Sequence, residues 1–222
     1  MMNIKNIIFD MDGTLIDSLI IWGPIWSGLG RKFLGDGSFY PGEEIDRAAR
    51  TLCLADAMDR VHKSCGIGNS GAELLAETNR IIKEFYENEV KLKSGVREFL
   101  DACLEGGVKM CIASATDPEL IEIALDSCDL RRYFPRVFSC GAIGKGKESP
   151  DVFLLAADFL EATPEDVWVF EDSAVAIVTA HNAGFFTCGI YDKNNFGQDI
   201  IKETADIYID EGEDIAPLIR YL

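Results

Sequence analysis

The stretch NIIFDMDGTLIDS, residues 6–18, decides which fold the sequence predicts. Its short apolar run, Ile7 to Phe9, ends abruptly in Asp10, and Asp12 follows before Gly-Thr. Apolar, β-branched runs of this length are typical of buried strands in a parallel sheet. Two carboxylates directly after such a strand lie at its carboxyl end, where open α/β sheets bind their ligands. The stretch therefore predicts a buried strand whose end carries a functional site.

The rest of the chain repeats this pattern of apolar runs separated by amphipathic segments. Further strands are predicted at 108–114, 167–171, 185–190 and 205–210. Helices are predicted at 95–107, 117–128, 149–162 and 173–184. Apolar strands that alternate with amphipathic helices favour a parallel sheet covered on both faces. We therefore predict the α/β class, with a Rossmann-like parallel sheet.

One long interval breaks the alternation, because residues 19–93 contain no convincing strand. Three helix-like tracts cover 21–34, 43–65 and 72–90. A connection of this length inside a compact sheet protein is rarely structureless. We therefore predict an α/β core domain formed by residues 1–18 and 94–222, and an all-helical cap domain formed by residues 19–93.

Composition limits the classes of partner and compartment. The 222 residues include 38 acidic and 21 basic side chains, for a net charge of −17, so we expect no nucleic-acid or membrane partner. No segment approaches the roughly 18 apolar residues of a membrane span, and the first apolar run is too short for a signal peptide. We therefore expect a cytoplasmic protein. Its seven scattered cysteines form no C-x-x-C pair, which favours reduced thiols.

Polar residues that suit phosphoryl transfer follow several predicted strands. These residues are Asp10, Asp12, Ser114, Lys147, Glu171 and Asp172, with Ala115 next to Ser114. One aspartate can attack phosphorus, and a second acid can transfer the proton of the leaving alcohol. Mg²⁺ favours oxygen ligands and would offset the charge of the crowded carboxylates. The hydroxyl, the lysine and helix N–H groups would hold the phosphoryl oxygens.

In chain order, FDMDGTLIDS, the strand end at Ser114, the K-x-x-P-D spacing at Lys147 and VFEDS resemble the four motifs of the haloacid dehalogenase superfamily of phosphohydrolases. The motifs run from residue 9 to residue 173, so the resemblance covers most of the chain. The helical segment after the first motif resembles the cap of this family.

The resemblance implies a role for each matching residue. Asp10 would be the nucleophile and Asp12 the general acid/base. Phosphate would be bound by Ser114, Ala115 and Lys147. Mg²⁺ would be held by Asp10, by Asp12 through its backbone carbonyl, and by Asp172, with Glu171 beside them. In the cap, the candidate substrate-lining residues are Trp22, Trp26, Arg47 and Arg50.

The activity that the resemblance implies is Mg²⁺-dependent hydrolysis of a small phosphorylated metabolite through an aspartyl-phosphate, by a monomer or weak dimer. A β-phosphoglucomutase-like mutase is the second hypothesis. It is less favoured than hydrolysis because Trp22 stands where such mutases tend to carry a histidine. A dehalogenase is less favoured, since it needs no metal. A phospho-accepting receiver-type switch is disfavoured because its phosphorylated aspartate belongs on a later strand. A non-catalytic phosphate-binding protein is the last alternative.

Overall fold

The structure, a computed structural model, describes residues 3–222 and is organised around a six-stranded sheet. The strands are β1 (Asn6–Phe9), β2 (Lys109–Ser114), β3 (Val137–Ser139), β4 (Trp168–Glu171), β5 (Phe186–Ile190) and β6 (Ile207–Ile209). Their order is β3-β2-β1-β4-β5-β6, and every neighbouring pair is parallel. The predicted α/β class with a parallel sheet is confirmed.

The α-helices of residues 3–222 lie in the connections between successive strands. They are α1 (Trp22–Leu34), α2 (Glu43–Ala49), α3 (Leu54–Cys65), α4 (Gly71–Asn88), α5 (Val96–Glu105), α6 (Pro118–Ser127), α7 (Cys140–Ile143), α8 (Asp151–Phe159), α9 (Ala174–Asn182) and α10 (Gln198–Thr204). Short 3-10 helices lie at Leu19–Ile21, Arg131–Tyr133, Pro164–Asp166 and Ala216–Tyr221. Of the helices in residues 3–222, none is both long and apolar enough to cross a membrane.

Strand β1 lies in the middle of the sheet and is buried from both sides. Ile7 and Phe9 pack in one hydrophobic cluster, whereas Ile8 packs in a second one. Successive strand residues point to opposite faces, so a strand that is covered twice must be apolar at every position. This requirement explains why the sequence shows a continuous apolar run before Asp10.

Two features of the fold differ from the sequence-based expectations. Strand β3 lies at the edge of the sheet, and its three residues are too few to show a pattern in the sequence. The tract at 43–65 is interrupted, because α2 ends at Ala49 and α3 begins at Leu54. The loop between these helices, residues 50–53, therefore becomes available to contact a ligand.

Residues 19–93, named here the helical insertion, leave the sheet and return to it through adjacent segments. The Asp17 N–H donates to the Lys91 carbonyl at 2.8 Å, and the Lys93 N–H donates to the Leu15 carbonyl at 3.0 Å. Helix α4 packs against α6, which follows β2. These contacts hold the insertion over the carboxyl edge of the sheet. The division into two domains stays a prediction.

Candidate active site

The ends of β1 and β4 bring three carboxylates together. Phe9 and Phe170 are partners in the sheet, so Asp10 follows β1 close to Glu171 at the end of β4 and to Asp172 after it. Carboxylate oxygens of the three residues lie within 4.8 Å of one another. The Nζ atom of Lys147 lies 2.5 Å from both Asp10 Oδ1 and Glu171 Oε1. Residues far apart in the sequence thus form one buried cluster.

This cluster carries more negative than positive charge. Burial raises the pKa of Asp10 well above its usual range, although Lys147 opposes the shift. Burial, reinforced by Glu171, raises the pKa of Asp172 to about 7. Desolvation acts to lower the pKa of Lys147, but Asp10 and Glu171 together raise it above its usual range. With all groups ionised, three carboxylates face one ammonium, and the remaining two negative charges match one divalent cation.

The carboxylate of Asp172 is held in place by two hydrogen bonds and a close glycine. Its Oδ1 accepts a hydrogen bond from Thr14 Oγ1 at 3.1 Å, and its Oδ2 accepts one from Asn195 Nδ2 at 2.6 Å. Gly13 has a φ of +80°, and a Cβ atom there would lie 2.4 Å from Asp172 Oδ2. Glycine is therefore required beside this carboxylate. The oxygen-only donor set fits a hard cation such as Mg²⁺.

The carboxylate of Asp12 is held by three hydroxyl groups from three parts of the chain. Its Oδ1 accepts hydrogen bonds from Ser18 at 2.6 Å and from Tyr86 at 2.5 Å. Its Oδ2 accepts one from Thr116 at 2.8 Å. Burial, reinforced by Asp12, raises the pKa of Tyr86 well above its usual range, so this phenol stays protonated and donates. Because Tyr86 belongs to α4, the helical insertion takes part in orienting Asp12.

The residues expected to bind phosphate surround the same cavity. Ser114 is buried at the end of β2, and its Oγ accepts a hydrogen bond from the Thr116 N–H at 3.1 Å. Ser114, Ala115 and Lys147 line a cavity of about 120 Å³ together with Asp10 and the acids around it. An anionic group in this cavity would therefore contact a lysine and a hydroxyl beside Asp10.

The structure divides the four candidate residues of the helical insertion into two pairs. Trp22 and Arg50 line the cavity, but Trp26 and Arg47 do not. The indole N–H of Trp26 donates to Asp46 at 2.8 Å inside the insertion. Arg47 pairs with a glutamate on its own helix, and its guanidinium carbon lies 4.3 Å from the centre of the Phe196 ring in the loop after β5.

Several residues that line the cavity were not predicted from the sequence. These are Ser18, Leu52, Ile82, Tyr86, Thr116 and Asn195. Thr116 lies two positions after Ser114, so its place after the same strand could have been inferred. Ile82 and Tyr86 look like ordinary apolar positions of an amphipathic helix, and only the packing of α4 brings them to the site.

The family model for haloacid dehalogenase-like hydrolases matches residues 4–184. The chain belongs to this family. Its membership confirms the predicted resemblance and the prediction of a hydrolase. The haloacid dehalogenase-like core explains why the acids gather at the carboxyl ends of adjacent parallel strands.

The relatives of this hydrolase include proteins named as phosphatases. The chain is 26% identical over 180 residues to a phosphorylated carbohydrates phosphatase of Thermotoga maritima, covering 81% of this chain and 82% of the relative. The crystal structure of CbbY from Rhodobacter sphaeroides in complex with phosphate matches with a TM-score of 0.82 at 20% identity, covering 97% and 96% of the two chains. A β-phosphoglucomutase of Clostridium difficile matches with a TM-score of 0.71 at 18% identity, covering 93% and 91%. The two structural matches establish a shared fold.

Proposed function

We propose that this hydrolase cleaves small organic phosphate monoesters through a phosphorylated Asp10 and uses Mg²⁺ as its cofactor. The observation that supports the proposal most directly is the position of Asp10, whose buried carboxylate lines the cavity between Lys147 and Asp172. The phosphatase name of the Thermotoga maritima relative supports the same reaction class. The expected partner is a small phosphorylated metabolite.

In the first step, a carboxylate oxygen of Asp10 attacks the phosphorus atom of the ester. The new oxygen–phosphorus bond forms as the bond to the leaving oxygen breaks, and protonated Asp12 gives its proton to that oxygen. Lys147 and Ser114 hold the phosphoryl oxygens during the transfer. The products of this step are an alcohol and a mixed anhydride of Asp10 with phosphate.

In the second step, water attacks the same phosphorus atom. The Asp12 carboxylate takes the proton from the water, and the bond between phosphorus and the Asp10 oxygen breaks. Inorganic phosphate leaves, Asp10 is restored as a carboxylate, and Asp12 is again protonated. The three hydroxyls around Asp12 keep its oxygens directed at the reacting group in both steps.

The residues that would hold Mg²⁺ are Asp10 and Asp172, with the backbone carbonyl of Asp12, and Glu171 beside them. When bound, the cation would supply positive charge that offsets the repulsion between the acids and the phosphate. The excess of two negative charges in the buried cluster supports this assignment.

The test is phosphate release from a panel of small phosphate monoesters, with Mg²⁺ and with a chelator. We expect turnover by the wild-type enzyme with Mg²⁺ only, and loss of turnover in Asp10→Asn. The control is Asp101→Asn, since Asp101 lies on α5 and pairs with Arg132 and Tyr133 away from the cavity. Undiminished phosphate release by a folded Asp10→Asn variant would contradict the proposal.

A mutase remains the alternative, and its detection requires analysis of the sugar phosphate products in addition to phosphate release. It would convert a sugar phosphate without net release of phosphate and would require a sugar bisphosphate as activator. Among the described residues of the helical insertion, Arg50 is the cationic residue that lines the cavity. Its guanidinium group is already paired with Asp46. This arrangement favours hydrolysis over recognition of a second phosphate.

A further inference from the structure

The wall of the cavity opposite the acids differs in chemistry from its floor. The floor consists of the strand ends with their carboxylates, Lys147 and Ser114. The wall comes from the helical insertion, and its apolar members include Trp22, Ile25, Ala49, Leu52, Leu54 and Ile82. In a phosphate ester bound with its phosphorus at Asp10, the leaving group points toward this wall.

The positive charge of Arg50 is already used by other groups. Its Nε and Nη2 donate to both oxygens of Asp46 at 3.1 and 3.0 Å, and its Nη1 donates to the Asn194 carbonyl at 2.6 Å. The guanidinium carbon also lies 5.3 Å from the ring centres of Trp22 and Phe196. Arg50 therefore joins α2 to the loop after β5, and a second anionic group would have to break this buried pair to reach it.

The hydroxyl and thiol groups of the wall are also occupied. The Tyr86 hydroxyl donates to Asp12, and the Thr51 hydroxyl donates to the Ala48 carbonyl at 3.0 Å. The Cys53 thiol lies 3.0 Å from a carboxylate oxygen of Asp56.

The N-terminus of α3 borders the cavity and could in principle attract an anion. Asp56 lies in the first turn of this helix, however, and already places a carboxylate there. A second phosphate would meet this negative charge, and a hydroxyl-rich group would lose its hydration against an apolar surface. The wall therefore disfavours both kinds of leaving group.

We propose that the preferred substrate is the phosphate monoester of an apolar alcohol, an alkyl or aryl monophosphate without a second charged group. This inference rests on the proposed function, because it concerns the leaving group of the same reaction. This substrate class differs from that of the Thermotoga maritima relative, which is named a phosphorylated carbohydrates phosphatase. Leu52 and Ile82, which face the leaving group from the wall, are the residues that determine the specificity.

The test compares esters of equal carbon length that differ only in hydroxyl content, in the presence of Mg²⁺. Propyl phosphate is paired with glycerol 3-phosphate, and hexyl phosphate with sorbitol 6-phosphate. We expect kcat/KM to be at least about tenfold higher for the alkyl member of each pair. Within the alkyl series, each added methylene that reaches the wall should raise kcat/KM about fourfold. This factor corresponds to the free energy of transferring one methylene from water to an apolar surface.

A polar substitution in the wall should weaken this preference. Leu52→Asn should lower kcat/KM for hexyl phosphate by a much larger factor than kcat/KM for sorbitol 6-phosphate. Leu52 is only partly buried, so the variant is expected to fold. The matched control is Leu34→Asn, because Leu34 is exposed at the end of α1 and does not line the cavity.

The two proposals fail in different ways in this experiment. Higher kcat/KM for the polyol phosphates would overturn the apolar-substrate inference and leave the phosphatase intact. An equal loss of hexyl phosphate turnover in Leu52→Asn and Leu34→Asn would also overturn the inference, because the wall would then have no specific role. Absence of phosphate release from every ester, including p-nitrophenyl phosphate, would overturn both proposals.

Discussion

Replacing Tyr86 by phenylalanine tests whether the helical insertion takes part in the chemistry. The substitution removes one oxygen atom and leaves the ring, so the packing of α4 is retained. Asp12 then keeps two of its three hydroxyl partners, from Ser18 and Thr116. A hydrogen bond to a charged group contributes about 1.5–3 kcal/mol. If this free energy serves to orient Asp12 in the transition state, kcat should fall by about 10- to 150-fold, with little change in KM.

The matched control is Tyr133→Phe. The Tyr133 hydroxyl also donates to a carboxylate, that of Asp101, at 2.6 Å, but it lies away from the cavity. This variant loses the same atom and the same kind of contact, so any general effect on stability appears in both variants. The assay is steady-state phosphate release with saturating Mg²⁺, accompanied by urea unfolding. A wild-type kcat in Tyr86→Phe would refute the reasoning that this hydroxyl positions Asp12.

Three further predictions follow from individual contacts. Gly13→Ala should lower Mg²⁺-dependent phosphate release about 100-fold, because the new Cβ would displace the neighbouring carboxylate of Asp172. Arg50→Met should lower the free energy of unfolding by about 3–5 kcal/mol, measured in urea, because it leaves a buried carboxylate without its charged partner. Iodoacetamide at pH 8 should modify Cys53 before Cys103, because burial raises the pKa of Cys103 to about 12 and only the thiolate reacts. Hexyl phosphate should slow the reaction of Cys53, which lines the cavity.

Each of these three has a matched control in the same chain. Gly35→Ala introduces a side chain at a φ of +71° with no atom within 4 Å, so activity should be retained. Arg47→Met removes an exposed ion pair and a contact with an aromatic ring, and it should lower the free energy of unfolding by no more than about 1 kcal/mol. Cys65 is partly buried but does not line the cavity, so hexyl phosphate should not protect it. Equal effects in variant and control, or equal protection of both thiols, would contradict the corresponding prediction.

The parallel sheet and its acidic edge could be predicted because the information is local. A strand that is covered on both faces needs a continuous apolar run, and the polar residue that ends the run marks the carboxyl end of the strand. Asp10, Asp172 and Lys147 each stand at such an end or before a helix. Their gathering in one cluster then follows from the geometry of any parallel sheet.

Which residues of the helical insertion line the cavity could not be predicted in the same way. Trp22 and Trp26 have the spacing of one helix face, yet one lines the cavity and the other donates to Asp46 inside the insertion. Arg47 and Arg50 also look alike in the sequence, but only Arg50 reaches the cavity. Which side of an amphipathic helix faces a ligand depends on the helices that pack around it.

The sequence by itself determined the fold class, the edge of the sheet that carries the site and the acids that form it, because strand burial and chain order are encoded in short stretches. Only the tertiary structure decided the surroundings of those acids. It brought the Tyr86 hydroxyl from α4 to Asp12, paired Arg50 with Asp46 and placed an apolar wall across the cavity from Asp10. These contacts join residues that are distant in the chain, and such contacts leave no periodic signal in the sequence.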